Sequence, residues 1–376
     1  MHVRRLTHVI ELHSLAQAWN RLAGGVPFRL CEWNATWWRH YGQQGQLYVL
    51  AVIDPTGDLM GLAPWYIEPV RARGRVLRFL GSGEVCSDYH TILSRPGDEH
   101  IVASALADYL CNEMIEGDAL DGGSCEWDLL QMSGVPHSDH TLRLLITEMA
   151  TRGATVREEP TLNCWRIAFP PSWEEYEAML SKGHRKQVRR LQRGFLDSGR
   201  AVLHTVEHRE ELPLGWEILV HLHQRRWITQ GELGVFHSSR FTDFHRDIAE
   251  QFLAKGRLQL HWLEIDGKLA AAEYHLAGDD VVFAYQAGVE PELLDLQPGR
   301  ICNLATLRKA HAGGFKHFDY LRGDEPYKAH WRAEPQRCVN VEIVPTRLGA
   351  RLRHGAWEAG RLLKRWMVGN TPAPQD

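Results

Sequence analysis

The sequence predicts an α/β chain, of mixed α/β or α+β type, built from two folded units made alike. Three observations carry this. The length, 376 residues, is that of two ordinary domains. Strand-like apolar runs are interleaved with helical patterns along the chain. Each half contains a hairpin of strand, glycine turn, strand: Val49 to Ile67 around Thr56-Gly57, and Leu258 to Leu276 around Asp266-Gly267.

Taken in order, Leu12 to Leu22 carries a helical pattern that ends before Gly24-Gly25, and Asn34 to His40 forms a second helix beside Trp33, Trp37 and Trp38. Trp37 and Trp38 are consecutive, so at most one of them shares a face with Trp33. Leu47 to Ile53 and Leu59 to Ile67 are the first hairpin, with the turn Asp54 to Asp58 between them. Arg75 to Leu80 and Tyr89 to Leu93 are further strands, and His100 to Cys111 is a helix with Ile101, Val102, Ala105, Leu106 and Leu110 at helical spacing. A strand at Glu126 to Leu130, a helix from Asp139 to Arg152 and a strand from Cys164 to Phe169 follow. The break between units falls at Phe169-Pro-Pro-Ser172, where Ser172 and Glu175 have the spacing of a capping box. The expected units are therefore 1–170 and 171–345, with 346–376 as a basic helix and polar tail.

The second unit opens on a basic stretch. Lys182, Arg185, Lys186, Arg189, Arg190, Arg193 and Arg200 face only Asp197, a local charge of +6, with Val188, Leu191 and Phe195 on one face. This predicts an amphipathic helix over Lys182 to Arg200, either solvated or facing an anion. DNA is not the expected partner, because no comparable patch recurs. Helices at Leu214 to Trp227 and Phe241 to Leu253 lead into a meander of Leu258 to Ile265, Leu269 to Leu276 and Val281 to Ala287. A helix from Ile301 to Ala310 begins at Pro298-Gly299 and closes at Gly313-Gly314. The strand Phe315 to Leu321 then runs into a charged loop, Arg322 to Lys328. Leu348 to Trp366 is the basic helix, and the end from Gly369 to Asp376 is expected to fray.

Composition sets the class. With 44% hydrophobic and 24% charged residues the chain is globular, and 43 Lys and Arg against 47 Asp and Glu leave a net charge of -4, which excludes partners captured by overall charge. The seven cysteines, 31, 86, 111, 125, 164, 302 and 338, form no CxxC and imply a reducing compartment and small core residues. Met1 to Glu11 contains no apolar signal run, and no stretch of 18 apolar residues occurs, so a cytoplasmic protein without a transmembrane segment is expected.

The second half also resembles a known group. Leu263-Glu-Ile-Asp-Gly-Lys-Leu-Ala-Ala-Ala-Glu-Tyr274, Ala284-Tyr-Gln286, Pro298-Gly299 and Phe318-Asp-Tyr-Leu-Arg-Gly-Asp-Glu-Pro-Tyr-Lys328 are similar to the CelD-type acyltransferases of the GNAT superfamily, which carry a domain like those of FemAB-type peptidyltransferases. In the first half, Phe28, Trp33, Trp37 to Gly42, Phe79 to Gly83 and Asp88-Tyr89 resemble that group's N-terminal motifs. The resemblance covers roughly residues 8 to 345. It implies tandem GNAT-like domains, each a mostly antiparallel sheet flanked by helices. It also implies acetyl-CoA or another acyl-CoA as co-substrate, and transfer to an amine or hydroxyl of a small-molecule or glycan-linked acceptor such as an amino sugar or polysaccharide precursor.

Such a transfer needs a base for the acceptor proton, a donor for developing negative charge and a cradle for diphosphate. Glu273 and His275 share one strand face, and a carboxylate among alanines is costly to bury unless it is paired or works at a cleft. Asp319 is placed to orient an acceptor or to fix the following loop. Tyr285, grouped by alternation with Phe283 and Ala287, is a candidate for the role GNAT tyrosines have as donor to the departing thiolate, or else a core or rim tyrosine. The loop residues Arg322, Asp324, Glu325 and Lys328, with Asp88, are substrate-binding candidates, or else a local salt-bridge set. The diphosphate position maps to Gln297-Pro-Gly-Arg-Ile301, leaving Gly299, Arg300 and Ile301. This stretch lacks the usual Gln/Arg-x-x-Gly-x-Gly/Ala form, which keeps open a relative using aminoacyl-tRNA, consistent with the basic helix, or a non-catalytic scaffold of a polysaccharide-synthesis assembly. No metal is expected: HExxH is absent, and in His137-Ser-Asp-His140 the middle residues open the next helix. The fourteen tryptophans are candidates for a sugar-binding groove.

Overall fold

The computed structural model describes residues 1–116 and 127–369. Cys125, Glu126 and the polar end after residue 369 lie outside the described residues. The strands, numbered in chain order, are β1 (His2–Leu6), β2 (Gln46–Ile53), β3 (Leu59–Val70), β4 (Gly74–Phe79), β5 (Leu93–Ser94), β6 (Leu129–Pro136), β7 (Thr155–Pro160), β8 (Cys164–Ala168), β9 (Ala201–Thr205), β10 (Leu258–Ile265), β11 (Lys268–Ala277), β12 (Val281–Val289), β13 (His317–Arg322), β14 (Glu334–Gln336) and β15 (Cys338–Val344). The helices are α1 (Val9–Ser14), α2 (Ala16–Leu22), α3 (Cys31–Tyr41), α4 (Glu99–Glu116), α5 (His140–Thr151), α6 (Trp173–Met179), α7 (Lys182–Leu191), α8 (Leu212–Ile228), α9 (Ser239–Ala254), α10 (Pro298–Ala312), α11 (Pro326–His330) and α12 (Leu348–Gly369).

Two sheets share one topology. The first runs β1-β2-β3-β4-β6-β15-β7, with β5 beside β3, and the second runs β9-β10-β11-β12-β13-β8-β14. In each, an antiparallel meander is followed by a helix and a strand that pairs in parallel with the meander's last strand. One fold is used twice, as the paired hairpins predict. Two strands cross the expected 170/171 division: β8 pairs with β13 in the second sheet, and β15 lies between β6 and β7 in the first.

The apolar runs are continuous because both faces of each sheet are covered. Along β2, Leu47, Val49 and Ala51 enter one core while Tyr48, Leu50 and Val52 enter another. One core lies outside the first sheet under α4 and α5, and another outside the second sheet under α7 and α10. The third joins the halves, with Phe28, Trp33 and Trp37 of the first meeting Phe244, Phe252 and Tyr274 of the second. A fully buried side chain of this size contributes about 1.5–3 kcal/mol. Trp37 shares the buried face with Trp33 and Trp38 is only half-buried, which excludes a sugar groove lined by all three.

Several elements differ from expectation. The Leu12 to Leu22 helix is interrupted at Leu15, so α1 and α2 are separate. Tyr89 to Leu93 is a buried loop in which only Leu93 is in a strand, because Cys86 and Tyr89 take positive φ and Asp88 and Tyr89 bond across to the second half. The strand expected at Glu126 to Leu130 runs instead from Leu129 to Pro136. The basic stretch is not one helix: α7 ends at Leu191, a π-turn spans Gln192–Leu196, and Arg200 precedes β9. Its apolar face is as read, with Val188 and Leu191 buried. Ser172 caps α6 by accepting from Glu175 N at 3.2 Å, and Asp139 caps α5 by accepting from Leu142 N. No described helix is long and apolar enough to cross a membrane.

Candidate functional site

The site begins where β12 and β13 part. Their parallel pairing lasts three positions, Val281 with His317, Val282 with Phe318 and Phe283 with Asp319. Beyond Phe283 and Asp319 the strands diverge, and a cleft of about 740 Å³ opens between them. Ala284, Gln286, Tyr320 and Arg322 line it from the two strands, Gly299 and Arg300 from the start of α10, His184 from α7, and Trp227 and Trp331 from the rim. The cleft also contains Glu273, His275, Tyr285, Glu325 and Lys328, so eight of the twelve sequence candidates meet at one place. Asp319, Asp324, Asp88 and Ile301 are not part of its lining.

Glu273 and His275 lie on the face of β11 that meets α10. His275 Nε2 is 3.1 Å from Glu273 Oε2, and Thr306 Oγ1 donates to the same oxygen at 2.8 Å. Both residues are buried, and His275 Nδ1 is a buried atom without a partner among the described residues. A helix–sheet interface is normally apolar, and burying these groups costs free energy unless they are paired. Here α10 supplies the partners. Asn303 donates to Tyr320 Oη at 2.9 Å, Thr306 to Glu273, and Lys309 to Thr205, whose hydroxyl lies 3.0 Å from His261 Nδ1. Burial holds the His261 imidazole well below its ordinary value, and pushes the Tyr320 hydroxyl well above its own.

Tyr285 departs from its expected place. Tyr274 pairs with Gln286 and His275 with Ala284, so Tyr285 is the extra residue of a bulge. Alternation is broken there, and Ala287 falls opposite Glu273 instead of beside Tyr285. The Tyr285 hydroxyl donates to the Val85 carbonyl and is 3.0 Å from His245 Nε2, in the core between the halves.

The charged loop is anchored throughout. Asp88 is buried and holds Arg322 by its backbone N–H at 3.0 Å and its guanidinium at 2.6 and 2.9 Å. Burial pushes the Asp88 carboxyl up, against the pull of Arg322. Asp319 is fully buried, accepting from Tyr89 Oη at 2.5 Å, Arg166 Nε at 2.7 Å and Leu321 N at 2.8 Å. The last bond holds Leu321 at a φ of 57°, unusual for a branched residue. The buried Lys328 ammonium donates to the carbonyls of Leu321, Arg322 and Gly323 at 2.9 to 3.2 Å and pairs with Glu325. Asp324 accepts from Asn163 and Trp165.

At the diphosphate position the helix end is sparse. Arg300 N and Ile301 N both close on Gln297 O, Pro298 has no N–H, and the Ile301 side chain is buried. The Gly299 N–H and the Arg300 guanidinium, which holds Gln297 Oε1 at 3.0 Å, are what remain to meet an anion. Arg226, on the lining, and Lys182, Lys186 and Arg190, on α7, are exposed and have no acidic partner among the described residues.

Sequence reading missed His184, Asn303, Thr306, Tyr320 and His261. Asn303 and Thr306 left a signal, as polar residues three apart within the otherwise apolar run Ile301 to Leu307.

Comparison with known proteins places this arrangement. Residues 182–329 match the family model for the acetyltransferase (GNAT) domain. The crystal structure of FemX aligns over 92% of this chain and 97% of that one, with a TM-score of 0.62 and 10% identity. The C-terminal domain of a putative lysylphosphatidylglycerol synthetase from Agrobacterium fabrum aligns over 94% and 98%, at a TM-score of 0.52 and 11% identity. L-PGS from Bacillus licheniformis aligns over 94% and 96%, at 0.50 and 11%. No curated protein matches the chain. The fold is thus a tandem of two GNAT-type units.

Proposed function

We propose that the chain is an acyltransferase whose reaction takes place in the cleft of the second unit, with an acyl-CoA as donor and an amine or hydroxyl as acceptor. The observation that carries this is the buried Glu273–His275 pair at the opening between β12 and β13. The pair is a proton acceptor positioned inside a cleft, where a carboxylate without such a role would be a cost. Glu273 takes the acceptor's proton, with Thr306 fixing the carboxylate, and the proton can pass on to His275 Nε2 beside it. Tyr320, already accepting from Asn303, keeps its own proton to donate toward the leaving group. Gly299 N–H and Arg300 hold the donor's diphosphate, and the acyl-CoA supplies the activated carbonyl. Asp88, Asp319 and Lys328 are positioning residues that fix Arg322 and the loop to β13. The GNAT domain match over this unit supports the reading. An amino sugar or polysaccharide precursor, as for the CelD type, is the acceptor class we favour.

A second donor is favoured by a specific observation. One open amide at α10 is a thin cradle for diphosphate, while Lys182, Lys186 and Arg190, without acidic partners among the described residues, stand on the helix that carries His184 to the cleft. This combination suits an aminoacyl-tRNA donor. Release of free thiol from acetyl-CoA and longer acyl-CoAs, measured with a panel of amines and amino sugars, distinguishes the two. Thiol release that depends on acceptor supports the first. No release with any CoA thioester, with transfer from charged tRNA, supports the second. No transfer from either donor would leave a binding protein of the same fold.

A further inference from the structure

The chain passes between the two sheets twice, at residues 161–163 and again at Arg337, and a cysteine follows each passage. Cys164 opens β8 and Cys338 opens β15. The two passages touch: Thr161 N donates to Cys338 O at 3.2 Å, and Gln336 pairs with Cys164 in the β14–β8 ladder. The sulfurs are 3.8 Å apart, and both residues are buried. A disulfide has an S–S distance of about 2.05 Å, so roughly 1.8 Å of closure separates contact from bond. On its other side Cys164 is the register partner of Arg322, the residue clamped by Asp88 at the cleft.

We propose that Cys164 and Cys338 are a dithiol redox site, which hydrogen peroxide converts to a disulfide joining the two passages between the sheets. A small oxidant is required because neither thiol is exposed. Cys338 reacts first: its contact with Cys164 holds its thiol below the ordinary value, whereas that same contact and burial push the Cys164 thiol up. The Cys338 sulfur attacks one peroxide oxygen and the O–O bond breaks. The displaced hydroxide leaves as water with the thiol proton, and Cys338 becomes a sulfenic acid. The Cys164 sulfur then attacks that sulfur, the S–O bond breaks, and a second water leaves with the Cys164 proton. Two thiols lose two electrons, and one peroxide becomes two waters. The bond joins positions 174 residues apart, closing a loop around the second unit and tying to one another the two strands that the sheets receive from the opposite halves.

The test uses the full chain. It is treated with hydrogen peroxide, alkylated under denaturing conditions, digested and examined by mass spectrometry. The expected result is a linked peptide pair carrying Cys164 and Cys338, lost on adding dithiothreitol, together with a melting temperature raised by about 5 °C or more. Cys164→Ser and Cys338→Ala each abolish the linked pair and the shift, and either variant suffices if the other folds poorly. In Cys164→Ser, dimedone labels Cys338. Recovery of Cys164 and Cys338 as separately alkylated thiols, in a sample whose exposed Cys86 is oxidised, would overturn the proposal.

Discussion

Thr306 Oγ1 donates to Glu273 Oε2 at 2.8 Å across the seam between α10 and the second sheet, and His275 Nε2 lies 3.1 Å from the same oxygen. Two buried polar groups converge on one carboxylate at the floor of the cleft. If this is the proton acceptor, Glu273→Gln lowers turnover by about 10²- to 10⁴-fold while melting stays within a few degrees. Loss of melting temperature without loss of turnover per folded molecule would make Glu273 a fold residue.

Two tyrosines in the same cleft have opposite expectations. Tyr285 ties the halves through Val85 and His245, so Tyr285→Phe costs about 1–2 kcal/mol in urea unfolding and leaves turnover within about threefold. Tyr320→Phe lowers turnover at least tenfold if its proton serves the leaving group. The reverse pattern in the two variants would exchange their roles.

The pair of Asp88 and Arg322 joins the first half to the rim of the cleft. Asp88→Ala leaves a guanidinium without its partner and is expected to cost about 3–5 kcal/mol, read as a fall in the urea midpoint. The double variant with Arg322→Met recovers part of that loss, because it removes the stranded charge as well.

Stability should fall with mild acid. Burial lowers His90 to about 3 and holds His245 and His261 well below 6.5. The unfolded chain therefore binds protons on these residues that the folded chain does not. Stability from these groups is complete above about 6.5 and is lost as pH falls below it, by up to about 1.4 kcal/mol per pH unit for each histidine. Asp88 and Asp319, raised by burial, act in the opposite sense, because the folded chain holds their protons more tightly than the unfolded chain. Urea midpoints at pH 7, 6 and 5 check this, and a constant midpoint contradicts it.

Much of this fold was legible in the residues, for identifiable reasons. Doubly buried strands such as β2 and β11 leave long apolar runs, and Asp266-Gly267 supplies the positive φ that its hairpin turn needs. The strands that went unread are mostly peripheral or charged, such as β1 with Arg4 and Arg5 and β7 with Arg157, Glu158 and Glu159. In β15, Val339, Val341 and Ile343 did alternate toward the core, but nothing local says that this strand returns to the first sheet. In the site, Glu273 and His275 were readable because two ionisable residues inside an apolar strand are conspicuous. Tyr285, at its bulge, and the loop that brings Asp88 to Arg322 make contacts across 200 residues or more, which no local pattern encodes.

The measurement that bears most directly on the central claim is calorimetric titration of acyl-CoA into the wild-type chain and into Ala284→Trp, whose new side chain fills the opening between β12 and β13. The account predicts binding by the wild type and its loss in the variant, at unchanged melting temperature. Equal binding by both proteins, or binding by neither, would contradict the placement of the donor in this cleft.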